Sequence, residues 1–181
     1  MKTFKLPIIL NWLILLSIHI KSTPKNIGLH DKDLSNTLYK SKRSPNLSYI
    51  YISSLFSQIV NSLVKYYLFI QTGYKFNADI NNKCLPINKY IGESGIKPHK
   101  DRDMISNNAI QKICIITIYQ KGKYIFNIYP KATSSNDGKI VDNLNNYASI
   151  ETKTRQCLLI DNIVHGLSGN GTRYSLTYRL I

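Results

Sequence analysis

The segment Arg173-Tyr174-Ser175-Leu176-Thr177-Tyr178-Arg179 decides the fold. Side chains alternate across a β-strand. Arg173, Ser175, Thr177 and Arg179 therefore share one face, and Tyr174, Leu176, Tyr178 and Leu180 share the other. One face is apolar or aromatic, while the opposite one is polar and carries two guanidinium groups. An arginine turned into a protein interior is costly unless an anion meets it. The planar guanidinium fork matches a carboxylate in bidentate geometry. The segment thus predicts a strand with a packed side and an anion-binding side. The competing reading is an exposed edge strand whose arginines are solvated.

Upstream lie His99-Lys100-Asp101 and His165. On a strand, His99 and Asp101 project to the same face and can share one metal, and His165 would come from another strand end. Two imidazoles and a carboxylate are the ligand set of a mononuclear non-haem Fe(II) site, with coordination positions left open for small ligands. Calcium would want more oxygen ligands. An isolated His-x-Asp is weak evidence. His30, followed by Asp31 and Asp33, is a decoy in a polar stretch without a downstream partner. His19 and His30 are read as non-ligands.

The surrounding chain reads as one α+β domain. Residues 53–70 place Leu55, Phe56, Ile59, Val60, Leu63, Val64, Tyr67 and Leu68 at helical spacing, the pattern of an amphipathic helix. From residue 84 onward, short runs rich in Ile, Val, Tyr and Thr alternate with turn-forming clusters. The strands expected are Leu85–Ile91, Ile96–Asp101, Lys112–Tyr119, Tyr124–Tyr129, Gln156–Asp161 and Thr172–Leu180. Turns are expected at Gly92–Gly95, Lys121–Gly122, Asn136–Gly138 and Ser168–Gly171. A helix followed by many short strands points to a two-sheet barrel.

The chain has 181 residues, enough for a single domain with a real core, and shows no internal repeat. Its net charge is +14, from 24 Lys and Arg against 10 Asp and Glu. A basic surface suits a polyanion such as nucleic acid. Lys, Asn, Ile and Tyr are abundant together, as AT-rich coding favours, so the charge reads either as a binding face or as coding bias on a solvated surface. The basic run Lys40-Ser41-Lys42-Arg43-Ser44 carries the same two readings. Cys84, Cys114 and Cys157 form no zinc pattern, and their odd number argues against a disulfide framework. Cys114 and Cys157 sit in apolar runs and read as small core residues.

Met1–Lys5 is basic and Leu6–Ile20 strongly apolar. That is the order of a signal peptide, but the small-residue cleavage signature is poor and the run is short for a membrane span. Residues 1–22 are thus a signal peptide or hydrophobic anchor, or else a buried N-terminal segment. Residues 23–46 read as a polar linker or arm and 47–181 as the main domain. Asn46-Leu47-Ser48 and Asn170-Gly171-Thr172 are glycosylation sequons. A glycan at Asn170 would crowd the region between His165 and Arg173. An intracellular setting, nuclear or cytoplasmic, is therefore favoured over a secretory one, and the protein is expected to be a monomer.

Over residues 76–181 the chain resembles the Fe(II)/2-oxoglutarate-dependent dioxygenases, and within them the AlkB-like group. The Asn-x-Tyr element of that group is matched by Asn88-Lys89-Tyr90, its HxD by His99-Lys100-Asp101, and its distal histidine by His165. Its closing R-x-x-L-T-x-R strand is matched by Arg173, Leu176, Thr177 and Arg179. The resemblance implies a double-stranded β-helix, or jelly roll, with flanking helices. It also implies Fe(II), 2-oxoglutarate as co-substrate, and dioxygen. Arg173 would hold the distal carboxylate of 2-oxoglutarate and Arg179 would support the metal-side carboxylates. Asn88 and Tyr90 would hydrogen-bond the co-substrate, with Ser175 on the same binding face. The chain departs from the family in its lean stretch between Asp101 and His165 and its short interval from His165 to Arg173. It also has no recognisable base-binding lid before residue 76.

Three functions compete. Oxidative demethylation of alkylated DNA or RNA would use the basic charge and the Tyr and Phe residues between positions 49 and 76 as stacking groups for an extruded base. Core packing is the plainer reading for each of those rings. A protein or small-molecule hydroxylase, in the secretory pathway or in contact with a membrane, would use the apolar N-terminus. A degenerate, non-catalytic binding protein is the third, and the completeness of the motif set argues against it.

Overall fold

In a computed structural model the described residues are 1–20, 47–52, 54–78, 85–101, 110–134, 140–142, 144–145 and 147–180. The arm at 23–46 with His30 and the basic run, Cys84, the Asn46 sequon and the Asn136–Gly138 turn lie outside them.

The elements in chain order are β1 (Lys2–Lys5), α1 (Ile8–Ile20), β2 (Leu47–Ile52), α2 (Leu55–Thr72), β3 (Asn77–Ala78), β4 (Leu85–His99) and β5 (Lys112–Tyr129). They continue with β6 (Thr133–Ser134), β7 (Ile140–Asp142), β8 (Ala148–Glu151), β9 (Gln156–Asp161) and β10 (Val164–Leu180). All main-sheet pairings among the described residues are antiparallel, in the order β1-β9-β5-β10-β4-β2, with β3 added to β10 and β8 to β5. Strands β6 and β7 form a separate small ribbon.

Three of the expected turns are bends inside long strands. The pairs of strands predicted at 85–101 and 112–129 are single strands, and β10 starts at Val164 rather than Thr172. The glycines are the reason. Gly92, Gly171 and Gly122 have φ of 64°, 127° and 103°. They are also paired in register, Gly92 with Gly171 and Gly171 with Gly122. Glycine adopts positive φ without a steric penalty, so each strand turns sharply while its ladder stays intact.

This glycine row divides the sheet into two halves. On one side run β1, β9, the start of β5, the end of β10, the start of β4, and β2. On the other run β8 and the remaining parts of β5, β10 and β4. Between the halves lies one core, with Ile113, Ile115, Leu158 and Ile160 from the larger half against Phe126, Ile128 and Leu167 from the smaller. The outer face of the larger half is covered by the helices. There Cys114, Ile116, Cys157, Leu159, Leu176 and Tyr178 pack with Leu10, Ile14, Val60, Val64 and Leu68. Adjacent residues of β5 thus serve different cores, as strand alternation requires. The result is the expected α+β jelly roll with flanking helices.

Helix α2 is delimited by its caps. The Ser54 Oγ accepts from the Ser57 N–H at 3.2 Å, and Gly73, at φ 77°, donates its N–H to the Phe69 carbonyl at 2.7 Å. The N-terminal segment lies within the fold. Strand β1 pairs with β9, the Leu6 N–H donates to the Arg155 carbonyl at 2.8 Å, and the Arg155 Nε donates back to the Leu6 carbonyl at 3.0 Å. Leu6 and Ile14 are fully buried. Among the described residues no helix is long and apolar enough to cross a membrane. Burial pushes the thiols of Cys114 and Cys157 up, Cys157 to about 12, so both are inert core residues.

Candidate metal centre

The register of the sheet brings the two histidines together. His165, near the start of β10, is the cross-strand partner of His99, the last residue of β4. Their ring centroids are 4.5 Å apart. The strand ends at His99, so Asp101 lies just beyond it rather than on it. Its carboxylate still returns to the imidazoles, with Oδ1 3.1 Å from His99 Nε2 and 3.9 Å from His165 Nε2. One ligand atom from each residue lies within 4.8 Å of the others, and all three side chains are buried.

The protonation of these groups suits a cation. His99 Nδ1 donates to the Lys97 carbonyl and His165 Nδ1 to the Ile163 carbonyl, each at 2.9 Å. A carbonyl only accepts, so each ring carries a proton on Nδ1 and turns its Nε2 toward Asp101. Burial, with His99 and Arg179 adding to it, holds His165 down to about 4, so it is neutral at pH 7. Burial alone would raise the Asp101 carboxyl. The Arg179 guanidinium and the two histidines instead hold it well below the usual carboxylate range. Phe126 stacks on the His165 ring at a centroid distance of 5.4 Å. Nitrogen and oxygen donors with open positions fit Fe(II) or a similar divalent transition metal.

The arginine face of β10 is as predicted. Leu176 and Tyr178 are buried in the helix-side core, while Arg173 and Ser175 are buried on the opposite side. Arg179 donates from Nε to Asp101 Oδ2 at 2.9 Å, placing it beside the His-Asp-His cluster. Arg173 is only 1 % exposed. It donates to Ser175 Oγ at 3.0 Å and to Thr117 Oγ1 at 2.9 Å, and it lies 5.3 Å above the ring of Tyr90, its cross-strand partner. Its Nε has no hydrogen-bond partner, and no carboxylate among the described residues pairs with it. Burial lowers its affinity for the proton. A guanidinium buried among hydroxyls, with no carboxylate of the described residues on it, has the charge and geometry to take an anion. Asn88 sits opposite Ser175 and donates to Thr177 Oγ1 at 3.2 Å, on the edge of the same face.

Three residues escape the sequence reading. Thr117 holds Arg173, and its only signal is a hydroxyl inside the run Ile115-Ile116-Thr117-Ile118. Tyr124, fully buried, shares a hydrogen bond with Ser94 at 3.0 Å and donates to the Gly171 carbonyl at 3.1 Å, bracing the bend. Asn162 clamps the backbone around Asp101. Its Oδ1 accepts from the Asp101 N–H at 3.2 Å, and its Nδ2 donates to the carbonyls of Asp101 and Ile110 at 2.9 and 3.1 Å. Of the aromatic residues considered for base stacking, Tyr66, Phe69 and Tyr74 are exposed. Phe56, Tyr67 and Phe76 pack in the helix-side core, with the sheet between them and the triad. They are core residues, the plainer of the two readings.

Comparison of the sequence with family models finds no match, and comparison with curated proteins finds none either. Solved structures do share the fold. A prolyl-4-hydroxylase of Pseudomonas putida aligns over 99 % of this chain and 90 % of its own, at 12 % identity and a TM-score of 0.55. An oxidoreductase of the 2OG-Fe(II) oxygenase family from Burkholderia pseudomallei aligns over 80 % and 75 %, at 12 % identity and a TM-score of 0.51. A structure of OsALKBH1 aligns more loosely, at 10 % identity and a TM-score of 0.43 over 76 % and 79 %. What this chain has in common with the first two is the jelly-roll fold, and on that fold it carries a His-Asp-His cluster of its own.

Proposed function

We propose that the protein is an Fe(II)/2-oxoglutarate-dependent dioxygenase that hydroxylates a C–H bond, acting by AlkB-like demethylation on alkylated DNA or RNA bases. The observation that carries the chemistry is the buried His99-Asp101-His165 cluster on a fold that also buries Arg173 with no carboxylate of the described residues to meet it. When bound, Fe(II) with 2-oxoglutarate and dioxygen supplies oxidation of a substrate C–H to C–OH, with 2-oxoglutarate leaving as succinate and carbon dioxide.

The chain's own residues hold and shield those groups. His99 and His165 present Nε2, and Asp101 presents Oδ1, as the protein ligands. Arg179 stays on the other oxygen of Asp101 and keeps the carboxylate ionised and oriented. Arg173 receives the distal carboxylate of the co-substrate, with Ser175 and Thr117 fixing the guanidinium and Tyr90 lying beneath it. Phe126, stacked on the His165 ring, keeps that side of the cluster apolar.

The substrate reading rests on two features of the sequence. One is the order Asn88-x-Tyr90, His99-x-Asp101, His165, Arg173-x-x-Leu176-Thr177-x-Arg179, and the other is the net charge of +14. Hydroxylation of an N-methyl group yields a hydroxymethyl that collapses to formaldehyde and the free amine. The test is succinate and formaldehyde release from methylated DNA and RNA oligonucleotides with iron and 2-oxoglutarate. Turnover of 2-oxoglutarate that responds to a protein or small-molecule substrate, and never to alkylated nucleic acid, would transfer the reading to a hydroxylase. No turnover with any substrate, and no binding of 2-oxoglutarate, would sink the dioxygenase reading itself.

A further inference from the structure

The helical layer is not a finished surface. Helix α2 buries Val60, Val64 and Leu68 against the sheet. On its outer side Leu55, Ile59, Leu63, Tyr66 and Ile70 form a second apolar stripe that faces solvent, with Tyr66 65 % exposed. Their spacing of three and four residues keeps them on one line along the helix. Helix α1 adds Ile8, Ile9 and Trp12, the last 66 % exposed. Exposed apolar groups scattered singly are ordinary, but eight on two helices that pack together mark an interaction site.

The charge of this layer is one-sided. Residues 1–20 and 54–78 contain Lys2, Lys5, Lys65 and Lys75 and no Asp or Glu. Lys2 and Lys5 border α2 directly. Lys2 Nζ donates to the Gln71 carbonyl at 2.7 Å, and the Lys5 carbonyl accepts from the Tyr67 hydroxyl at 2.6 Å. A second copy of the chain would bring lysines against lysines with no acidic partner. An anionic lipid surface would neutralise them, accept the aliphatic stripe at the acyl boundary and hold Trp12 and Tyr66 at headgroup level.

We infer that the α1/α2 face docks the protein on anionic membrane surfaces, lying in the interface rather than crossing it. The proposal is independent of the chemistry assigned to the metal centre. Trp12 is the only tryptophan of the chain and sits in the proposed contact, so its fluorescence reports on docking directly.

Full-length protein should co-sediment with vesicles of phosphatidylcholine and phosphatidylserine, and Trp12 emission should move to shorter wavelength. Vesicles of phosphatidylcholine alone should produce neither effect, and raised salt should reverse the binding. The triple variant Ile59→Ser/Leu63→Ser/Ile70→Ser should lose the shift. Lys2→Glu/Lys5→Glu should weaken partitioning roughly tenfold or more while the protein stays folded. Far-UV circular dichroism of each variant separates loss of docking from loss of fold. If the triple variant unfolds, the lysine pair and the salt dependence still decide. Absence of the shift on anionic vesicles overturns the proposal. A shift that grows with protein concentration without lipid, together with a dimer in sedimentation, also overturns it in favour of a second copy.

Discussion

At the scale of single residues, the candidate metal centre is braced by groups outside the His-Asp-His cluster. Asn162 makes three hydrogen bonds to the backbone on either side of Asp101, through the Asp101 N–H and the carbonyls of Asp101 and Ile110. Asn162→Ala should weaken Fe(II) or Co(II) binding by about 10–100-fold, the usual effect of removing a supporting partner, as titration of the metal-free protein would record. Asn162→Asp, which keeps the acceptor and loses both donors, should fall between the two. An unchanged metal affinity in both variants would deny Asn162 that role. Arg173 offers the opposite case. It is a buried cation without a counter-ion, so Arg173→Met should raise the thermal midpoint of the ligand-free protein while abolishing stabilisation by 2-oxoglutarate. For the wild type, 2-oxoglutarate at a hundred times its Kd should add about 2.7 kcal/mol. His99→Ala and Asp101→Ala should each eliminate succinate release. The His-Asp-His cluster and the arginine face were legible in the sequence because few other arrangements bring such groups together at these spacings. Thr117, Tyr124 and Asn162 were not, because a hydroxyl or amide inside an apolar run looks the same whether or not it braces a site. Only the register of β5 against β10, and the place where β9 ends, disclose their partners.

At the scale of elements, the glycines that look like turns in the sequence are bends in continuous strands. Local chemistry is the same in both cases, since a positive φ is required either way. What differs is whether the strand on each side stays paired, and that is a long-range property. The row also grades its members. A Cβ at Gly171 would collide with the Lys121 carbonyl, and one at Gly122 with the Asn170 carbonyl, whereas a Cβ at Gly92 would meet nothing within 4 Å. Gly92→Ala should therefore cost only the left-handed backbone penalty of about 1–2 kcal/mol. Gly171→Ala should cost markedly more and reduce metal affinity as well, because β10 carries His165. Urea unfolding of the two variants makes the comparison, and equal losses would mean that the close approach at Gly171 relaxes freely.

At the scale of the molecule, one buried histidine couples the site to acid stability. The folded state holds His165 down to about 4, against about 6.5 in an unfolded chain. As pH falls below 6.5 the unfolded chain takes up a proton that the folded protein refuses, so stability is full above that value and declines toward pH 4. The depressed Asp101 acts in the same direction at still lower pH. The urea midpoint of metal-stripped protein should fall between pH 7 and 4.5, and His165→Asn should flatten that decline. The whole-molecule arrangement was the least legible in the sequence. Residues 2–20 carry a pattern shared by signal peptides and core segments, and only the pairing of β1 with β9 shows the use made of them here.

The glycine row has one more consequence. His165 lies on one side of the bend in β10 and Arg173 on the other, with Gly171 between them. The span from the His165 ring to the Arg173 guanidinium is therefore taken across a bend rather than along a straight strand. Because Gly92, Gly171 and Gly122 lie on one line across three strands, that bend is a shared one. Strands β4, β10 and β5 thus share one crease, and a change at any of its glycines bears on the placement of His165 relative to Arg173.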